Sequence, residues 1–290
     1  MENNKPFLKI AHISDLHFSK PTFNLRQLFS KRWIGNLNLL FNRSKTYLNK
    51  QPFTLLDTFK KQNITHVLIS GDLSTTSSQE EFEMGQEFIE ALKQANMHVY
   101  MVPGNHDSYT KSSYEKELFY QYFCHDQEGL QKERVSSIKL ENNWWLVTID
   151  STYPTAVYYS TGHYTQKHDS QLRDLLSKIP STDSVIVMNH FPLFHHEHPR
   201  RIMHGAQMLR ETLALYPFVK FYLHGHTHRH CVADLRGNHL PIILDSGSAS
   251  HVRRGSWNCI TLHPSQCVID VFVAHQKRFW NLEKTVSYKW

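Results

Sequence analysis

Five short apolar runs, at residues 7–13, 64–69, 98–102, 184–188 and 219–223, each stop abruptly at a polar group. The groups are Asp15-Leu16-His17, Gly71-Asp72, Gly104-Asn105-His106-Asp107, Asn189-His190 and Gly225-His226-Thr227-His228. The runs have strand length, and helical periodicity fills 52–62, 78–95 and 169–177 between them, a pattern that predicts an α/β fold. Loops at the carboxyl ends of strands are where such sheets carry their sites. Past residue 230 the pattern changes. Closely spaced strands at 231–235, 241–245, 257–262 and 266–273, with Gly- and Pro-containing turns between them, predict antiparallel pairing. No repeat, low-complexity stretch or linker divides the chain, so a single domain over 1–290 is expected.

With 40% hydrophobic and 20% charged residues over 290 positions, the chain can bury a sizeable core, which excludes a disordered or fibrous protein. Its longest apolar runs fall well short of the ~18 residues a membrane-spanning helix needs. The first 14 residues carry Glu2 and no apolar h-region, and Cys124, Cys231, Cys259 and Cys267 are far apart. These features predict a cytoplasmic protein whose cysteines are ordinary, mostly buried thiols, with Cys231 in the core.

The formal charge of +6 is local. Between Leu16 and Leu56 there is no acid, while Lys20, Arg26, Lys31, Arg32, Arg43, Lys45 and Lys50 supply seven positive charges, so the remainder nets −1. That balance argues against a nucleic-acid partner. Within this stretch Leu25, Leu28, Phe29, Trp33, Leu37, Leu40, Phe41 and Leu48 recur at helical spacing, which predicts a basic amphipathic helical insertion at about 21–50. Two readings stay open: a surface hairpin packed on the domain, or a surface that meets anionic lipid or a lipid-like substrate, giving a peripheral seat on the inner face of a membrane.

Nine of the 21 histidines fall between His190 and His230. Each polar group alone is weak evidence, since Gly-Asp is usually a turn and a buried histidine is usually structural. Five such groups in one order, each after an apolar strand, combine carboxylate, carboxamide and imidazole donors. That set suits Mn2+, Fe or Zn2+ and is wrong for thiolate-loving metals.

Asp-x-His, Gly-Asp, Gly-Asn-His-Asp, Asn-His and Gly-His-x-His in this order resemble the calcineurin-like metallophosphoesterases, over residues 7 to about 250. The resemblance implies two packed mixed β-sheets flanked by helices. It implies one metal on Asp15, His17, Asp72 and His228, and a second on Asp72, Asn105, His190 and His226, with Asp72 bridging. It also implies hydrolysis of a phosphodiester or pyrophosphate by a hydroxide bridging the two metals. His106 is then expected beside the leaving group as general acid or transition-state stabiliser, with Asp107 orienting its ring. On a strand, period two would turn Asp15 and His17 to one side, and glycines 71, 104 and 225 would let the backbone turn sharply.

Three substrate classes fit: a cyclic nucleotide, a nucleotide-linked lipid pyrophosphate of the UDP-2,3-diacylglucosamine type, motivated by 21–50, and, ranked last, a phosphoprotein. A non-catalytic metal-bearing scaffold is the alternative outside enzymes, disfavoured because all the ligand types are present. Arg200, Arg201 and Arg229 are candidates for gripping a non-reacting phosphate. His195, His196 and His198 either line the substrate pocket or sit in a solvated loop.

Overall fold

The structure is a computed structural model that describes residues 8–20, 47–123, 127–156, 158–194, 198–275 and 279–290. The amphipathic insertion expected at 21–50 therefore lies, except for 47–50, outside the described residues, as do His195 and His196.

In chain order the strands are β1 (Leu8–Ile13), β2 (His66–Ile69), β3 (His98–Met101), β4 (Val135–Lys139), β5 (Trp144–Ile149), β6 (Gly162–His163), β7 (Ser184–Met188), β8 (Met203–His204), β9 (Val219–His224), β10 (His230–Asp234), β11 (Ile242–Ser246), β12 (Ser256–Leu262), β13 (Gln266–His275) and β14 (Phe279–Lys289). One six-stranded sheet has the order β14-β13-β12-β1-β2-β3 and the other β10-β11-β9-β7-β5-β4, while β6 pairs with β8 apart from both. Each sheet is mixed. β1, β2 and β3 are parallel and β12 to β14 antiparallel. In the second sheet β5, β7, β9 and β11 are parallel, with β4 and β10 antiparallel at the edges.

Side-chain alternation explains the layering. In the second sheet Ile186, Met188, Phe221, Leu223, Ile242 and Leu244 face the first sheet and join its core. Their neighbours Val185, Val187, Val219, Tyr222 and Ile243 face outward, with Leu172, Leu176, Leu209 and Leu213 of helices Gln166–Lys178 and Ala206–Ala214 in that core. Period two thus supplies two apolar faces from one strand run, as burial on both sides requires. Helix Gln79–Gln94 covers the first sheet with Phe82, Gly85, Phe88, Ile89 and Leu92, at spacings of three and four. It starts where Ser78 accepts from Glu81 N and the Glu81 side chain returns to the Ser78 N–H, a capping box.

The carboxy-terminal strands pair antiparallel as expected, β10 with β11 and β12 with β13, but the two pairs belong to different sheets. β11 is buried on both faces and runs parallel to β9, so β10 and β11 extend the second sheet, whereas β12 and β13 enter the first. β14, which the polar alternation of its sequence concealed, completes that sheet. Cys259 and Cys267 are buried, but Cys231 is exposed because β10 is an edge strand of the second sheet. Among the described residues no helix is long and apolar enough to cross a membrane.

Candidate metal centre

The carboxyl ends of β1, β2 and β3 in one sheet and of β7 and β9 in the other open onto the same edge, and the loops there are tied across. Asp15 N donates to Gly71 O at 3.0 Å, His17 N to Asp72 O at 2.9 Å and Gly225 N to His190 O at 3.1 Å. The two sheets meet where His226 N donates to Asp15 Oδ2 at 3.0 Å.

Asp15 and His17 lie beyond β1, and their common direction comes not from strand alternation but from left-handed backbone. Asp15, His17, Asp72, His226 and His228 have φ of 54°, 47°, 55°, 71° and 55°. For non-glycine residues this region costs roughly 1–2 kcal/mol each. The cross-loop hydrogen bonds impose it, and strain of this kind clusters at functional sites. Of the three glycines only Gly71, at φ 100°, needs a positive angle. Gly104 and Gly225 are required for close approach, because a Cβ would overlap Asp72 at the first and Ser14 and Asp15 at the second.

Two cradles result. In the first, His228 Nε2 lies 2.9 Å from Asp15 Oδ1 and 3.0 Å from His17 Nε2, and His17 Nε2 lies 3.8 Å from Asp72 Oδ2. One ligand atom from each of these four residues falls within 4.8 Å of all the others. In the second, Asn105 Oδ1 is 2.8 Å from His226 Nδ1 and 3.2 Å from His190 Nε2, and His190 Nε2 is 3.5 Å from Asp72 Oδ2. Asp72 presents Oδ2 to both cradles, and its Oδ1 accepts the His106 N–H at 2.8 Å.

The donor chemistry fits cations. His190 Nδ1 donates to Ser70 O at 2.8 Å and His226 Nε2 to Arg201 O at 3.0 Å, so the neutral rings turn lone pairs inward. Burial holds both histidines below their ordinary pKa, most strongly His226, which keeps them neutral. Three acceptors, His190 Nε2, His226 Nδ1 and Asn105 Oδ1, therefore converge with no proton to share. In the first cradle the buried Asp15 Oδ1 accepts no hydrogen bond among the described residues. Burial works to raise the Asp15 carboxyl, but the His228 and His17 rings beside it outweigh that and hold it well below the usual carboxylate range. Backbone carbonyls on the outer nitrogens are a common second layer of metal-ligating imidazoles.

Asp107 does something other than orient His106. Its carboxylate accepts from Gly104 N, Leu73 N, Ser74 N and Ser74 Oγ at 2.8 to 3.2 Å, fastening the Asp72 loop to the Asn105 loop. Burial nevertheless pushes its pKa up to about 6. The His106 ring is oriented instead by the Thr75 carbonyl, 2.6 Å from Nδ1, and stacks on Tyr109 at 5.4 Å.

A cavity of about 290 Å3 opens over the cradles, and Tyr47, His106, Ser160 and Arg201 line it with Asp72, Asn105, His226, Thr227 and His228. Arg201 is thus at the site. Arg200 lies over the Tyr159 ring, Arg229 lines a neighbouring cavity, and the exposed His198 accepts from Arg200 N. Tyr47 and Ser250 escaped the sequence reading. Ser248 ends the strand-terminal group Asp245-Ser246-Gly247-Ser248 and supports the site from outside it, its hydroxyl and that of Ser250 donating to Asp15 O at 2.7 and 3.1 Å.

A profile of the calcineurin-like phosphoesterase family matches residues 8–230. A 3',5'-cyclic-nucleotide phosphodiesterase of Nostoc is 27% identical over 165 residues, 56% of this chain and 55% of that protein. A 3',5'-cyclic adenosine monophosphate phosphodiesterase of Haemophilus influenzae is 27% identical over 179 residues, 59% of this chain and 57% of its own. The matches therefore span little more than half of these relatives. Among solved structures, a dimetal phosphatase from Danio rerio shares the fold at 10% identity and TM-score 0.69, covering 98% of this chain and 99% of that one. A purple acid phosphatase from yellow lupin shares it at 11% identity and TM-score 0.64, covering 98% and 55%. With the profile covering most of its length, the chain belongs to the calcineurin-like phosphoesterase family.

Proposed function

We propose that the chain is a metal-dependent phosphodiesterase with two ions, one held by Asp15, His17, Asp72 and His228 and the other by Asp72, Asn105, His190 and His226. The observation that carries this reading is the convergence of imidazole nitrogens with carboxylate and amide oxygens on two adjacent cradles that share Asp72 Oδ2. Ions bound there would supply positive charge for the phosphoryl oxygens and make hydroxide available near neutral pH. Mn2+ is the favoured ion, with Fe and Zn2+ fitting the same donors.

The chain's own residues do the rest. Asp72 and Asp15 contribute negative charge that offsets part of the ions' charge. His106 donates Nδ1–H to the Thr75 carbonyl, which leaves Nε2 as the nitrogen that would pass a proton to a leaving oxygen. Arg201 lines the cavity and matches a non-bridging phosphate oxygen pair.

The cyclic-nucleotide phosphodiesterases among the relatives support a small phosphodiester as substrate. A second reading, an ester or pyrophosphate carrying an apolar chain, has support from a cavity of about 580 Å3 next to the centre. That cavity shares Thr227 with the site and is lined by Leu193, Phe194, Ala233, Leu235 and Ile243. The basic segment 21–50 would be its lipid contact. The reading also takes 1–290 as one domain acting in the cytoplasm, to which the free thiols of Cys231, Cys259 and Cys267 lend support.

The test is metal-reconstituted turnover of a bis-aryl phosphate, cyclic nucleotides and a UDP-linked diacyl sugar. Turnover of the first two that requires added metal is the expected result. Preference for the lipid-linked substrate favours the second reading, and absence of turnover with two ions bound favours a scaffold.

A further inference from the structure

We infer that Tyr47 is a positioning residue of the metal centre, whose hydroxyl fixes the tautomer and the angle of the His228 ring. The inference rests on the proposal that His228 is a ligand. Tyr47 Oη lies 2.8 Å from His228 Nδ1, on the side of the ring away from Asp15 and His17, toward which Nε2 points. A phenol oxygen accepting from Nδ1–H leaves a lone pair on Nε2, the arrangement that ligation requires.

Tyr47 is itself held. Its ring meets those of His17, His228 and His251 edge-on, with centroids 5.5, 5.7 and 5.3 Å away and interplanar angles of 75°, 74° and 77°. Its backbone bridges to His251, and Leu48 N donates to Ser250 O at 3.2 Å. Ser250 in turn donates its hydroxyl to Asp15 O. The hydroxyl is therefore fixed relative to the same loop that presents Asp15.

The chemistry at this corner is distinctive. His190 and His226 rest on backbone carbonyls, which only accept. His228 rests on a side chain that both accepts and donates, so its outer partner can be removed by one atom's substitution. Loss of such a partner costs 10–100-fold in metal affinity in metal sites generally.

The experiment is Tyr47→Phe in the full chain, which keeps the ring and its packing. Mn2+ binding is measured by calorimetry and Co2+ binding by visible absorption. The expected result is that one of two binding steps weakens by about 10–100-fold while the other is unchanged, with thermal unfolding of the metal-free protein unaltered. The kcat on a bis-aryl phosphate should fall at limiting Mn2+ and recover at saturating Mn2+ with KM unchanged. An unaltered isotherm, or a raised KM that excess Mn2+ does not restore, overturns the inference. A parent protein that binds fewer than two ions overturns the dinuclear proposal itself.

Discussion

The carboxylate of Asp72 accepts the backbone N–H of His106 through Oδ1 at 2.8 Å, so the residue shared by both cradles also anchors the residue that faces the substrate cavity. Its Oδ2 faces both sides, 3.8 Å from His17 Nε2 and 3.5 Å from His190 Nε2. The other oxygen, Oδ1, holds the His106 backbone.

Asp72→Asn tests that arrangement. An amide in place of the carboxylate removes a negative charge from between the cradles and sets an NH2 either against His106 N–H or toward the metals. Turnover should fall by about 10²-fold or more, the scale seen when one electrostatic contact to a transition state is lost. Metal analysis should find less than two ions per chain. A variant that keeps two ions and more than a few per cent of parental kcat/KM would show that Asp72 is not the shared ligand.

His106→Ala should separate binding from proton transfer. The ring touches the cavity but lies outside both cradles, so metal content should remain parental. Loss of a general acid costs about 10²–10⁴-fold, and the loss should be largest for alkyl phosphodiesters, whose leaving oxygens need the proton most. The check is a leaving-group series at saturating metal. Equal losses on aryl and alkyl esters would exclude the acid role and leave charge stabilisation.

How far the sequence carried these assignments differs by residue. Asp15, His17, Asp72, Asn105, His190, His226 and His228 lie in groups that follow apolar strands, the family resemblance of those groups singled out these seven, and the structure brings all seven to one edge. Their left-handed backbone was not visible, because Asp and His do not announce positive φ as glycine does. Asp107 looked like a partner of its neighbour His106, but its four donors come from residues 73, 74 and 104. Tyr47 lies in no motif, and its relation to His228 exists only after the chain has closed over 181 residues. The antiparallel hairpins of the carboxy-terminal strands were legible from their short spacing; the parallel seat of β11 beside β9, which buries it on both faces, was not.

Gly225→Ala addresses close approach. The φ of Gly225 is not in the left-handed region, so alanine meets no backbone penalty, and the cost comes from a methyl group driven into Ser14 and Asp15. Overpacking of this kind costs about 1–3 kcal/mol. Because Asp15 must move, the first cradle should loosen as well. Denaturant unfolding should show the stability loss, and metal titration should show a weakened step. A change in stability with unaltered metal binding would mean that the Ser14 side absorbs the methyl.

Glu81 provides a pH test away from the metals. Its carboxyl is fully buried and caps helix Gln79–Gln94, with Thr76 N at 2.7 Å and Thr76 Oγ1 at 3.1 Å from Oε2. Burial pushes its pKa up from 4.5 to about 7, outweighing the donors from Thr76, Ser78 and Lys20 that pull it down. The folded chain then holds the proton more tightly than the unfolded chain. Its contribution to stability is complete below pH 4.5 and is lost as pH rises through 7, by about 3 kcal/mol in all. Buried histidines with lowered pKa, such as His12 and His226, act oppositely, since their contribution fades as pH falls below 6.5. Comparison with Glu81→Gln isolates the carboxyl. The amide oxygen can replace Oε2, and the NH2 group then faces Lys20 N, only 3.4 Å from Oε1. The stability of the variant relative to the parent should rise between pH 4.5 and 7.5, measured by urea midpoints at constant ionic strength. A constant difference across that range would mean that the donors keep Glu81 ionised in the folded chain.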